Sequence, residues 1–286
     1  MSYTTLVDTD TLAAHLRDER WVLIDCRHDL GNPDAGRKSY DAGHIPGAHF
    51  MRLDVDLSSP SNGRNGRHPL PDPQVLAKRL GELGITKGVQ VVAYDDQGGM
   101  FAARLWWLLN WLGHSTVALL NGGLSQWLKE ARPLSSETPS PQPAVFNVES
   151  RSIGVSVSEV LESLRTNRAL IVDARSADRY RGENETMDPI GGHIPGALNR
   201  FFKNNLDAQG RFKSAEILRA EWEALLQHTL PEQVVHQCGS GITACHNALA
   251  MEIAGLRGSR LYPGSWSEWC TDSTRPVARG PTPSGT

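Results

Sequence analysis

Cysteine is scarce in this 286-residue chain: Cys26, Cys238, Cys245 and Cys270 are the full set, and no two of them form a Cys-x2-Cys pair. That scarcity argues against a disulfide framework and against the usual ligand spacing of a zinc site, so reduced thiols are the default. An excess of positive charge is also missing. The formal net charge is −3, and Lys and Arg are interspersed with Asp and Glu without a basic stripe, so nucleic acid is not an expected partner. No apolar run approaches the length of a membrane span, and Met1 to Asp8 lack a cationic flank followed by an apolar stretch. The expectation is a soluble, cytoplasmic protein with no membrane partner. The length suffices for one large domain or two ordinary ones, with ample core.

Among the few cysteines one has a distinctive setting. Cys238 lies in Gln237-Cys238-Gly239-Ser240-Gly241-Ile242-Thr243-Ala244, after the apolar pair Val234-Val235 and before the helical pattern Cys245 to Ile253. A thiol is thereby placed where a strand end turns into a helix N-terminus. The two glycines let the backbone curl so that successive N–H groups converge on the sulfur, and the helix dipole adds to their preference for an anion. Two readings are open at this point: an activated nucleophile, or a buried structural cysteine beside a tight turn. A phosphatase loop of the Cys-x5-Arg kind is disfavoured, because the sixth residue after Cys238 is Ala244 and no arginine stands there to clamp phosphate. Cys26, Cys245 and Cys270 read as packing residues. Cys245, about two helical turns beyond Cys238, is also placed to resolve an oxidised Cys238.

The chain repeats itself. Val22 to Arg27 (Val-Leu-Ile-Asp-Cys-Arg) returns as Leu170 to Arg175 (Leu-Ile-Val-Asp-Ala-Arg), and Gly-His-Ile-Pro-Gly-Ala at Gly43 to Ala48 returns unchanged at Gly192 to Ala197. Val91 to Asp95 matches Val234 to Cys238, and Gly122 to Trp127 matches Gly264 to Trp269. Four landmarks kept in order at about half the chain length mean two copies of one domain. The copies are expected at residues 1–132 and 151–286. The Pro/Ser-rich stretch 133–150 reads as an extended linker, and Arg279 to Thr286 as a loosely held tail.

Within each copy short apolar strands, at 21–25, 90–94, 169–173 and 233–236, alternate with amphipathic helices, one capped by Thr9 or Asp10 and another by Ser156 or Ser158. Strands apolar throughout indicate an α/β fold whose parallel sheets are flanked by helices on both faces. The helix from Met100 to Leu112, apolar almost all round, is expected in the core with Trp106, Trp107 and Trp111. Ligands of such sheets sit beyond the carboxyl ends of the strands. Cys238 and its counterpart Asp95 both occupy such an end, so only the second copy can carry thiol chemistry, and the first serves as scaffold and as one wall of a cleft. His44 and His193, present in both copies, are read as turn residues bonding backbone, and the same repeat argument demotes Asp25 and Asp173.

The paired Gly-His-Ile-Pro-Gly-Ala segments, the Asp-x-Arg strand ends and the single Cys-Gly-Ser-Gly-Ile-Thr loop together resemble the tandem-domain rhodanese sulfurtransferases, over residues 5 to about 277. The loop is most similar to that of the 3-mercaptopyruvate sulfurtransferases. The resemblance implies two rhodanese-like domains, the first lacking the catalytic cysteine. It implies that Cys238 takes a sulfane sulfur from a small-molecule donor, carries it as a persulfide cradled by Gly239, Ser240, Gly241, Ile242 and Thr243, and passes it on without metal or organic cofactor. The acceptor would be cyanide or a thiol such as thioredoxin or a low-molecular-weight thiol. It further implies a relay of Ser240, His68 and Asp54, and a carboxylate-binding role for Arg179. The family's second arginine falls at Asp188, where this chain departs from the pattern. Gly239 and Ser240 stand where thiosulfate-preferring members carry Arg and Lys. A neutral loop with one arginine at its rim suits 3-mercaptopyruvate better than thiosulfate, which stays the alternative donor; a protein-fed persulfide relay is the other alternative.

Overall fold

In the computed structural model, which describes residues 2–281, the chain forms two compact units. The first runs to Ser59 and adds Leu70–Arg151 and Ala208–Phe212; the second comprises Pro60–Pro69, Ser152–Asp207 and the chain from Lys213 onward. The first contains β1 (Leu6–Val7), α1 (Thr9–His15), β2 (Trp21–Asp25), α2 (Ala35–Ala42), β3 (Ala48–Phe50), α3 (Pro73–Glu82), β4 (Gln90–Tyr94), α4 (Ala102–Trp111), β5 (Val117–Leu120) and α5 (Gly123–Lys129). The second contains α6 (Val157–Thr166), β6 (Leu170–Asp173), α7 (Ala177–Arg181), β7 (Leu198–Asn199), α8 (Ala215–Leu226), β8 (Val234–Gln237), α9 (Thr243–Ile253), β9 (Arg260–Leu261) and α10 (Ser265–Trp269). Among the described residues no helix is long and apolar enough to cross a membrane.

Both sheets are parallel throughout, with order β1-β5-β4-β2-β3 in the first unit and β7-β6-β8-β9 in the second. The orders are equivalent, because a single parallel bridge between Gly154 and Leu261 beside β9 takes the place that β1 holds beside β5. Register repeats as well. Asp25 is level with Tyr94 across β2 and β4, and Asp173 with Gln237 across β6 and β8, so Asp95 and Cys238 leave their sheets at equivalent points. Ile24, Val91, Val92, Val172 and Val234 are fully buried, and each such side chain contributes roughly 1.5–3 kcal/mol relative to exposure. Trp106 and Trp107 of α4 are buried too, and Trp107 stacks on Trp111.

The repeated motifs build the same clamp twice. Arg27 grips the Asp25 carboxylate through Nε and Nη2 and donates to the Gly43 carbonyl at 2.8 Å; Arg175 grips Asp173 and donates to Gly192 at 2.6 Å. Both pairs are almost wholly buried, where breaking one partner costs about 3–5 kcal/mol. His44 Nδ1 lies 2.8 Å from the Tyr40 carbonyl oxygen, with its ring stacked on Tyr40; His193 does the same with Tyr180 at 2.9 Å. These histidines hold turns, as their presence in both copies indicates.

Three details differ from the sequence reading. The cap of α1 is Asp8, whose carboxylate accepts from the Thr11 N–H at 2.7 Å, because Thr9 and Asp10 are already helical; Ser156 does cap α6, in a reciprocal box with Glu159. Residues 133–150 contain no helix but are held against the first unit: Ser135 pairs with His44, the Thr86 hydroxyl donates to the Val145 carbonyl, and Glu149 N–H donates to Leu112. At the C-terminus Arg279 and Gly280 are tied by hydrogen bonds to Gly191 and Arg181, so the tail is anchored there; residues 282–286 lie outside the described residues.

Candidate active site

Cys238 follows the last residue of β8, with only 2% of its surface exposed. The Gly241 N–H donates to its sulfur at 3.2 Å, and the loop then enters α9. Gly241 has φ +79°, and a β-carbon there would lie 2.3 Å from the Pro263 carbonyl oxygen, so the turn that aims this N–H requires glycine. The turn into α10 locks the loop from outside. Ser265, itself at φ 54°, accepts from the Cys238 N–H at 3.1 Å, while Trp266 and Ser267 N–H groups donate to the carbonyls of Cys238 and Gly239, each at 2.9 Å.

The first unit shows what such a loop does with an anion. Asp95, the counterpart of Cys238, accepts four backbone N–H groups: Gln97 and Gly99 on one oxygen at 2.8 and 2.9 Å, Phe101 and Ala102 on the other at 2.7 and 2.9 Å. Complete burial pushes its carboxyl up, and these four donors oppose that shift. Gly98, at φ +71°, matches Gly241. The first copy therefore keeps the anion cradle and fills it permanently with its own carboxylate. In the second copy a sulfur stands at the same strand end, where it accepts from the Gly241 N–H.

The rim of the loop carries two guanidinium groups where the sequence reading expects one. A β-carbon added at Gly239 would lie 2.9 Å from Nη2 of Arg67 and 3.7 Å from both terminal nitrogens of Arg179. Arg179 is fixed by Glu185, which accepts from its Nε at 3.1 Å and its Nη2 at 2.8 Å, and Asp188 lies 3.4 Å from the same Nη2. Asp188 also accepts from Arg67, and Glu185 lies 3.3 Å from Arg175. Burial pushes both acids up; hydrogen bonds from Arg179 and the Met187 N–H nonetheless bring Glu185 below its usual range, whereas Asp188 stays above it. Arg67, Arg175 and Arg179 are thus matched by Asp173, Glu185 and Asp188. The two outer acids lie between the Tyr and His of the clamp, which are 4 residues apart in the first unit and 13 apart here because Tyr180 stands much closer to its Asp-x-Arg strand end than Tyr40 does. That change of spacing is visible in the sequence, but its purpose is not.

Ser240 and His68 meet, with Nδ1 2.8 Å from Oγ, both largely buried. Asp54 belongs to the first unit, where His28 Nε2 lies 3.8 Å from its carboxylate. Gly239, Ile242 and Thr243 complete the loop, with Ile242 buried and Thr243 opening α9. The other thiols are buried and differently occupied. Burial, reinforced by Asp25, pushes Cys26 well up; burial and Asp188 push Cys270 up to about 11; Cys245 donates to the Gly241 carbonyl at 3.3 Å. Arg67, Glu185 and Ser265 escape a motif-based reading, although Arg67 adjoins His68 and Ser265 falls inside the repeated Gly264 to Trp269 segment.

Residues 8–130 and 156–272 each match the rhodanese-like domain family. The chain is 44% identical over 283 residues to the probable 3-mercaptopyruvate sulfurtransferase of Pseudomonas aeruginosa, covering 98% of this chain and 100% of that protein. It is 38% identical over 280 residues to the thiosulfate sulfurtransferase of Bos taurus, covering 93% and 92% of the two chains. Its fold superposes on the 3-mercaptopyruvate sulfurtransferase from Leishmania major with a TM-score of 0.84 at 32% identity, covering 96% of this chain and 76% of that one. Two matched domains, two equivalent parallel sheets and one cysteine at the second strand end lead to one conclusion: this chain belongs to the rhodanese-like domain family, in its tandem two-domain form.

Proposed function

We propose that the protein is a sulfurtransferase that takes sulfur from 3-mercaptopyruvate onto Cys238 as a persulfide and passes it to a thiol or to cyanide. The observation that carries this reading is the Cys238 sulfur at the end of β8, accepting the Gly241 N–H inside a loop rimmed by guanidinium groups. The thiolate attacks the donor sulfur; the S–S bond forms as the C–S bond breaks, and the electron pair leaves with the pyruvate enolate. The proton of the donor thiol ends on the enolate carbon, so persulfide anion and pyruvate are the products. An acceptor thiolate or cyanide then attacks the outer sulfur and returns Cys238 as thiolate, a ping-pong course. The persulfide is held by the backbone N–H groups of Gly239 to Thr243, among which Ser240 and Ile242 are the counterparts of Gln97 and Gly99, two of the four donors that hold Asp95.

Ser240, bonded to His68, is suited to moving the donor's proton. Asp54 enters this relay by resemblance, and the pH profile of Asp54→Asn tests its part. Charge favours a monoanionic α-keto thiol over the thiosulfate dianion, because each arginine of the rim cluster already has a carboxylate of its own. Thiosulfate stays the second reading, supported by similarity to relatives named for it. The deciding experiment pairs a donor panel with intact mass. With mercaptopyruvate the protein should gain one sulfur atom and lose it on adding thiol, and Cys238→Ser should gain none. Loading of Cys238→Ser, or a higher kcat/KM for thiosulfate, would overturn the site or the donor respectively.

A further inference from the structure

We propose that Arg67 is the second carboxylate-binding group of the donor site, set in place by Asp188, so that the donor's carboxylate bridges Arg67 and Arg179 above Gly239. This rests on the reading of the protein as a sulfurtransferase with a carboxylate-bearing donor. Arg179 has spent its Nε and Nη2 donors on Glu185, leaving the Nη1 side toward the loop. With Asp188 a further 3.4 Å from Nη2, it lacks a free two-pronged edge for a second carboxylate, and a single arginine in this state is a weak anchor.

Arg67 supplies what is missing. Its Nη1 donates to the buried Asp188, its Nη2 is the atom nearest the position of a Gly239 β-carbon, and its Nε is buried without a hydrogen-bond partner among the described residues. A buried guanidinium donor left unpaired at the mouth of a reactive loop is costly unless a ligand completes it. The backbone beneath is fixed: the Arg67 N–H donates to Ser267 Oγ at 3.0 Å, and a β-carbon at Gly66 would lie 2.8 Å from the Gly264 carbonyl oxygen. At position 188, where the family pattern has an arginine, this chain has an acid whose work is to hold an arginine brought from another segment. Cation and anion have exchanged places, and the guanidinium at the loop is kept.

The test uses the full-length protein with mercaptopyruvate, with a neutral organic polysulfide as a donor lacking a carboxylate, and with pyruvate as an inhibitor. Arg67→Met should raise KM for mercaptopyruvate about tenfold or more with kcat changed little, weaken pyruvate inhibition in parallel, and leave loading from the polysulfide unaltered. Arg67→Lys should fall between. The double variant Arg67→Met with Asp188→Asn separates binding from charge neutralisation: KM should stay raised. A return of KM to the wild-type value, an unchanged KM in Arg67→Met, or a loss of polysulfide loading in that variant would each make Arg67 structural and overturn the proposal. Failure of the wild-type protein to load Cys238 from any donor would instead bring down the sulfurtransferase reading, and this inference with it.

Discussion

A methyl group added at Gly241 would meet the Pro263 carbonyl at 2.3 Å on a backbone at φ +79°, whereas one added at Gly239 would meet the far ends of two long side chains, Arg67 and Arg179. The two glycines of the loop therefore do different things. Gly241→Ala should cost about 1–3 kcal/mol of stability and abolish sulfur loading, because the N–H that reaches Cys238 loses its aim. Gly239→Ala should leave stability nearly unchanged and act on donor KM. Thermal unfolding together with intact mass checks both, and equal effects at the two positions would sink the distinction. His236, in the strand that leads to Cys238, is wholly buried with neither ring nitrogen bonded among the described residues, and burial pushes it down to about 3. Below its ordinary value of about 6.5 the unfolded chain takes up a proton that the folded one refuses. Its contribution is thus complete above that value and is lost as pH falls toward 3, at about 1.4 kcal/mol per pH unit. Urea unfolding at pH 7.5 and 5.5 should show a larger loss for the wild type than for His236→Leu; identical losses would contradict the assignment.

At the scale of elements, the segment between α7 and the second Gly-His-Ile-Pro-Gly-Ala turn carries Glu185 and Asp188, whose side chains are each only 3% exposed and which fix three arginines between them. Glu185→Gln keeps the shape but removes the charge, leaving Arg175 and Arg179 under-matched. The expected loss is roughly 3 kcal/mol of unfolding free energy, the usual scale for breaking a buried pair. A rise in mercaptopyruvate KM should accompany it, since Arg179 loses its anchor. Denaturant titration and steady-state kinetics measure the two, and a neutral substitution would mean that the acid only decorates the loop. The β8 to α9 turn was legible from its glycines, and the buried strands from their unbroken apolar runs. The acids of this segment left almost no mark on the repeat, since Asp25 and His44 stand 19 residues apart and Asp173 and His193 stand 20 apart, and nothing local tells an acid that binds an arginine from one that faces water.

For the molecule as a whole, the repeat leads to an unequal division of labour: Asp95 fills its own cradle, while Cys238 leaves the corresponding one to a transferred atom. The segment Pro60–Pro69 nevertheless belongs to the second unit. A fragment of residues 145–286 would keep Cys238 and its loop but lack Arg67 and His68. Its kcat/KM for mercaptopyruvate should fall at least about tenfold, the scale of one lost charge-assisted hydrogen bond, and full activity in that fragment would refute the assignment of both residues.

What the sequence determined by itself was the repeat, the α/β class, the strand positions and the single nucleophile candidate. Each of these is written in local pattern: apolar runs, glycine at a tight turn, and identical motifs at one spacing. The contacts of Ser240 with His68, 172 residues apart, and of Arg67 with Asp188, 121 apart, were decided only by tertiary structure. The same is true of what the acid at position 188 does. A missing arginine reads in the sequence as a lost binding group; in the fold it is an acid that holds another arginine over the loop. Local pattern encodes backbone conformation and burial, whereas electrostatic matching depends on which distant side chains the closed chain brings within a few ångströms of one another.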